Sequence, residues 1–135
     1  MWGRALLRAW SKTMPAIMLS TGEAELGALV KGATEAEGIV AIMRDFDSGA
    51  DILLESDASA AVGITQRQGL GKIRHLAVGD LWIQQRVKDG VLRIGKIPGK
   101  DNPADLMTKA LDFARMVHLT AKMGLSLCGM SSRPS

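Results

Sequence analysis

Residues 52–64, which read ILLESDASAAVGI, join a short apolar run to an acidic turn and a helix-forming segment. The apolar residues predict a buried strand that ends at Ser56, and 58–64 predict a helix. Asp57 is therefore expected just beyond the carboxyl end of a strand, where α/β sheets commonly bind ligands. An aspartate there can also cap the following helix, so the local sequence leaves a functional and a structural interpretation open.

Regular elements extend from this segment in both directions along the chain. Before it, 5–10 and 16–19 predict two short strands, and Ser20 begins a long helix. The apolar stripe of that helix recurs at helical spacing and comprises Leu26, Leu29, Val30, Ala33, Val40 and Met43. After it, 73–88 predict an amphipathic helix with Trp82 in its core stripe, and 91–97 predict a strand. Two further helices are expected from Asn102-Pro103 and from about 113 to 123. Helices interleave with strands, which predicts an α/β or α+β fold with a mixed sheet.

The composition restricts the classes of function. The 135 residues are 47% hydrophobic and 23% charged, which is ordinary for one small folded domain. The formal net charge of +3 permits a polyanionic partner. A single cysteine excludes an internal disulfide, and the absence of tyrosine argues against a base-stacking surface. No apolar run is long enough to span a bilayer, so we expect no membrane partner. The single cysteine fits a reducing compartment, and without a convincing targeting signal we expect an intracellular protein, cytoplasmic or nuclear.

Two further acidic residues are candidates for chemistry. Glu25 lies near the start of the long helix, at the edge of its apolar stripe, whereas Glu23 fits a capping box with Ser20 and is assigned to structure. Asp105 stands in the first turn after Asn102-Pro103, where an acid complements the helix dipole, and this structural role is favoured locally. No single acid decides the function.

Basic residues cluster between Arg67 and His75 and recur near the end of the chain. This segment contains Lys72 and Arg74, which fit contacts to a phosphate backbone, with Lys96, Lys100 and Lys109 as further members of the same face. A solvated helix entry and turn explains the cluster equally well on local grounds. Both interpretations remain open at this level.

Four blocks of the sequence together resemble a known family. They are LSTGEAELGAL (19–29), ESDASAAVGI (55–64), GKIRHLAVGDLWIQQRVKDG (71–90) and IPGKDNPADLMTKAL (97–111). In this order and spacing they resemble the RNase H domain of copia-type retrotransposon Pol polyproteins. The resemblance covers about residues 8 to 111 and implies an RNase H-like mixed β-sheet flanked by helices.

This resemblance implies a magnesium-dependent hydrolase that cuts the RNA strand of an RNA–DNA hybrid. Two Mg²⁺ ions in the family activate water and stabilise the leaving oxygen, held by carboxylates alone. Matched by motif, Glu25, Asp57 and Asp105 are the catalytic and metal-binding residues. Lys72, Arg74 and His75 match a block that implies binding of the substrate. The implied partners are an RNA–DNA hybrid, or another nucleic acid, and the reverse transcriptase portion of a parent polyprotein.

The sequence departs from the family at its start. The family's first catalytic aspartate lies on an opening strand, whereas no acid precedes Glu23 here. We therefore expect a truncated RNase H-like domain over 1–111, lacking the first strand, followed by a helix over 112–125 and a disordered tail over 126–135. Loss of this ligand predicts impaired two-metal hydrolysis in the isolated chain. The alternatives are a non-catalytic nucleic-acid-binding remnant or a pseudogene fragment.

Overall fold

The computed structural model describes residues 1, 5–11, 21–67 and 78–126. The described helices are α1 (Thr21–Arg44), α2 (Ser59–Thr65), α3 (Val78–Lys88) and α4 (Phe113–Lys122), and the described strands are β1 (Ile52–Ser56) and β2 (Leu92–Lys96). Two 3₁₀ helices cover Gly99–Asp101 and Pro103–Met107. The chain divides into two compact units, the sheet unit Met14–Ile97 and the terminal unit Met1–Thr13 with Pro98–Ser135. Each is described by itself, and the boundary expected after residue 111 stays a prediction.

Helix α1 buries the stripe that its sequence predicts. Leu26, Leu29, Ala33, Val40 and Met43 are buried along one side of the helix, with Val30 packed at the margin of the core. They contact the sheet and two other helices. The core cluster of the sheet unit consists of Leu26, Leu29, Ala33, Val40, Ile52, Ala61, Ile64, Ile83 and Leu92.

Strands β1 and β2 form a parallel pair in which Ile52 lies beside Leu92 and Ser56 beside Lys96. Side chains alternate across the pair: Ile52 and Leu92 face the core, while Leu53 is 56% exposed on the other side. Parallel neighbours need a crossover connection, and the chain between β1 and β2 contains α2 and α3. The α/β class is confirmed. Among the described residues the sheet has these two strands alone, so a mixed sheet is not seen there.

Helix α3 is held against α1 and α2 by packing and polar contacts. Ile83 is fully buried, and Gln84 Nε2 donates a hydrogen bond of 2.9 Å to the carbonyl of Ile64. A Cβ added at Gly79 would lie 3.2 Å from a methyl carbon of Val30, so glycine permits the close approach of α3 to α1. An ion pair of 3.0 Å joins Arg86 to Glu37 across the same two helices.

Two expectations for local structure are corrected. The strand predicted over 5–10 is wrong, because in the described range 5–11 only Ala5 forms a β-bridge. Leu7 and Trp10 are exposed there, so the stretch has no apolar face to bury and no reason to pair as a strand. The helix expected after Asn102 opens with the predicted cap, the Asn102 side chain accepting from the amide of Ala104 at 3.1 Å. The observed helix, Pro103–Met107, is a short 3₁₀ helix. The strand predicted over 16–19 lies outside the described residues.

Helix α4 begins at a side-chain cap and buries Leu119 and Thr120 near its end. The carboxylate of Asp112 accepts a hydrogen bond of 2.8 Å from the amide of Arg115, which satisfies one free donor of the first turn. Leu119 is fully buried on this helix. None of the helices among the described residues is both long enough and apolar enough to cross a membrane.

Candidate carboxylate site

Asp57 lies immediately after β1, and the next residues enter α2. Its neighbour Ser56 is buried, and the Ser56 hydroxyl accepts a hydrogen bond of 3.1 Å from the amide of Ala58. The residue before α2 is Ala58, and no side chain caps the helix. Asp57 is half-buried and forms no side-chain hydrogen bond or ion pair with any other described residue. The helix-capping role that the sequence leaves open for Asp57 is therefore not observed.

Glu25 lies near the start of α1, beside the buried Leu26. Its side chain is half-buried and forms no hydrogen bond or ion pair within the part of the chain that the structure describes. The capping box assigned to Glu23 depends on Ser20, which lies outside the described residues. Because α1 packs against β1, Glu25 and Asp57 belong to the same sheet unit.

Asp105 belongs to the terminal unit and is fully engaged in ion pairs. It is only 3% exposed, its Oδ2 lies 2.7 Å from Arg115 Nη2, and its Oδ1 lies 2.8 Å from Lys109 Nζ. Arg115 also donates from Nη2 to the carbonyl of Gly99 at 2.8 Å. These contacts tie the 3₁₀ segments to α4. They give Asp105 a structural role beyond the helix-dipole effect expected from its position.

The described carboxylates do not by themselves form a magnesium centre. Mg²⁺ needs several oxygen ligands in one place, and Glu25 and Asp57 supply oxygens of the right kind. Among the described residues, however, no group of three or more histidine, cysteine, aspartate or glutamate side chains lies close enough to hold a metal. Asp105 would have to release Arg115 or Lys109 before it could bind a cation. Magnesium binding stays a prediction.

The substrate contacts predicted at Lys72, Arg74 and His75 lie outside the described residues and stay predictions.

A second polar cluster, which the sequence does not single out, lies in the terminal unit. The carboxylate of Asp101 lies 2.9 Å from His118 Nε2 and 3.0 Å from Lys122 Nζ. The pKa of Asp101 is lowered from its ordinary value because His118 and Lys122 both hydrogen-bond to the carboxylate, with His118 having the larger effect. The only sequence signal for this cluster is the spacing of four residues between His118 and Lys122 on α4.

Removing the guanidinium of Arg115 is expected to destabilise the terminal unit. Arg115→Met leaves the buried Asp105 with Lys109 as its one remaining cation among the described residues, and an undercompensated buried charge is costly. Because Arg115 is itself about a third exposed, we expect a loss of about 2 kcal/mol, at the low end for such pairs. Urea unfolding of Arg115→Met and of the wild-type chain measures this change in the free energy of unfolding. The double variant Asp105→Asn/Arg115→Met should recover part of the loss, and an unchanged urea midpoint for Arg115→Met would show that the pair contributes nothing.

Comparison with known proteins adds no family assignment to this geometry. No protein-family model matches the chain, and no solved structure matches it significantly.

Proposed function

We propose that this chain is an RNase H-like domain of the copia retrotransposon type, which binds RNA–DNA hybrids and hydrolyses their RNA strand when its carboxylate set is complete. One observation carries the proposal. Asp57 stands half-buried at the carboxyl end of β1, in a unit that also holds Glu25, and neither carboxylate forms a hydrogen bond or ion pair with another described residue. The resemblance of the four sequence blocks supplies the reaction.

The contacts around Asp57 support a role in function rather than in folding. Ser56, and not Asp57, accepts the hydrogen bond from the amide of Ala58, and no described cation neutralises the aspartate. A half-buried carboxylate without a partner gains no pairing energy to offset its partial desolvation. The edge of a parallel sheet at the carboxyl ends of its strands is also where such folds bind substrates.

The pairing of β1 among the described residues supports the expectation that a further strand completes the domain. Strand β1 pairs with β2 on one side, and within the described residues no strand pairs with its other edge. Open edges of this kind present unpaired amide and carbonyl groups that another strand can satisfy. A strand carrying an aspartate, supplied by a longer polyprotein that includes a reverse transcriptase portion, would place a third carboxylate beside Asp57.

A second candidate function is hybrid binding without cleavage. Asp105, the last carboxylate that the resemblance implies, is held by both Arg115 and Lys109, which competes with any metal. The net charge of +3 suits a nucleic acid, and such binding would be sensitive to salt. In this case the chain recognises the backbone of the hybrid but does not hydrolyse it.

Hydrolysis of a labelled RNA–DNA hybrid distinguishes these functions. The full chain is compared with a longer chain in which an aspartate-bearing strand precedes Met1, each with Mg²⁺ and with EDTA. We expect Mg²⁺-dependent cleavage by the longer chain and much weaker cleavage, or none, by the 135-residue chain. Binding by both chains without cleavage by either would favour the second function. No binding and no cleavage would overturn the proposal.

A further inference from the structure

Lys96 is the last residue of β2, and its position in the sheet places it near Asp57. In the parallel register it lies beside Ser56, the residue that precedes Asp57. Neighbouring strands are about 4.8 Å apart, so the backbone of Lys96 is within one strand spacing of the segment that presents the carboxylate. The two residues thus share the carboxyl edge of the sheet.

The side chain of Lys96 is held by a hydroxyl group instead of a carboxylate. Its Nζ donates a hydrogen bond of 2.5 Å to the hydroxyl of Ser59, the first residue of α2, and both residues are exposed. Lys96 forms no ion pair with any described acid, although Lys31, Arg86 and Lys109 each form one. A neutral hydroxyl orients the ammonium group without cancelling its charge. Two of the three ammonium hydrogens remain for another acceptor.

The positive charge of Lys96 would favour the binding of nucleic acid at the carboxyl edge of the sheet. The carboxylate of Asp57 repels the phosphate groups of an approaching backbone, and a fixed positive charge one strand away offsets that repulsion. Lysine acts on phosphate as a compact point charge and needs no bidentate geometry. The anchored ammonium of Lys96 meets these requirements.

We infer that Lys96 binds a phosphate oxygen of the nucleic-acid backbone at the carboxyl edge of the sheet, with Ser59 as the positioning residue that orients its ammonium group. The inference rests on the proposed function, because it takes the RNA–DNA hybrid as the ligand. It adds a contact that is separate from the segment containing Lys72, Arg74 and His75.

The test measures binding of a fluorescent RNA–DNA hybrid to the full chain across a range of salt concentrations, without divalent metal. Each phosphate contact contributes a slope of about −0.9 to the dependence of log affinity on log salt. Lys96→Gln should therefore weaken binding about tenfold at ~50 mM salt but only about threefold at ~200 mM, with the slope reduced by about one. Lys96→Arg should retain most of the affinity and the slope because it keeps the charge.

Lys88→Gln is the matched control, since it removes the same charge from an exposed position. Lys88 ends α3, four residues before Leu92 at the start of β2, and so lies toward the amino end of the strand that Lys96 ends. We expect Lys88→Gln to leave the slope unchanged. Ser59→Ala removes the anchor but not the charge, so it should weaken binding less than Lys96→Gln and preserve the slope.

The outcomes separate this inference from the function on which it rests. If the wild-type chain binds the hybrid and Lys96→Gln behaves like Lys88→Gln, the phosphate contact is wrong while hybrid binding stands. If the wild-type chain fails to bind the hybrid at low salt, the phosphate contact of Lys96 and the proposed function are both overturned. Thermal unfolding of each variant serves as a check: a purely structural Lys96–Ser59 bond would lower stability equally in both variants without changing the salt slope.

Discussion

Asp57→Asn is expected to lower Mg²⁺-dependent hydrolysis of an RNA–DNA hybrid at least about 100-fold, or about 2.7 kcal/mol of transition-state stabilisation. The measurement uses the longer chain that carries an added aspartate-bearing strand. Asparagine keeps the size of the side chain but removes the negative charge that a hard cation requires. Since Asp57 forms no hydrogen bond or ion pair with other described residues, its replacement should change the free energy of unfolding by no more than about 0.5 kcal/mol.

Glu55→Gln provides the control for this change. Glu55 lies on the same strand two residues earlier, on the exposed side of β1, and loses the same charge in the same kind of substitution. Hydrolysis should be unaffected by Glu55→Gln. Equal losses of activity in the two variants would indicate a general effect of charge, and a fully active Asp57→Asn would remove Asp57 from the catalytic set.

Ile83→Ala is expected to destabilise the sheet unit by about 3 to 4 kcal/mol, within the range found for large-to-small changes at fully buried sites. Ile83 has no exposed surface and lies in the core cluster with Leu26 and Leu92. Truncation removes buried methyl groups and leaves a cavity that two helices and a strand cannot close. Urea unfolding followed by circular dichroism gives the change in free energy.

Leu81→Ala on the same helix is the matched control. Leu81 is 41% exposed, so its truncation should cost less than about 1 kcal/mol. A similar cost for both variants would contradict the assignment of Ile83 to the core. Because α3 leads directly into β2, a destabilised Ile83→Ala should also weaken hybrid binding near its unfolding transition, through the strand that carries Lys96.

The sequence predicts those elements whose cause is local. The stripe of α1 recurs at helical spacing, so one side of the helix has to be buried wherever it packs. The strand that ends before Asp57 and the cap at Asn102 follow equally from short-range signals. The apolar stretch 5–10 lacks such a cause, because a strand needs a partner to satisfy its backbone, and within the described range 5–11 only Ala5 forms a β-bridge.

The candidate site also combines features with a local cause and features that depend on tertiary contacts. The sequence alone determines that Asp57 follows a strand and that Glu25 lies near the start of a helix, because both positions are fixed by chain neighbours. Only the tertiary structure decides that the ammonium of Lys96 reaches the hydroxyl of Ser59, 37 residues away. The physical reason is that this contact depends on the register between β1 and β2. Packing sets this register across the intervening crossover, and no local pattern encodes it.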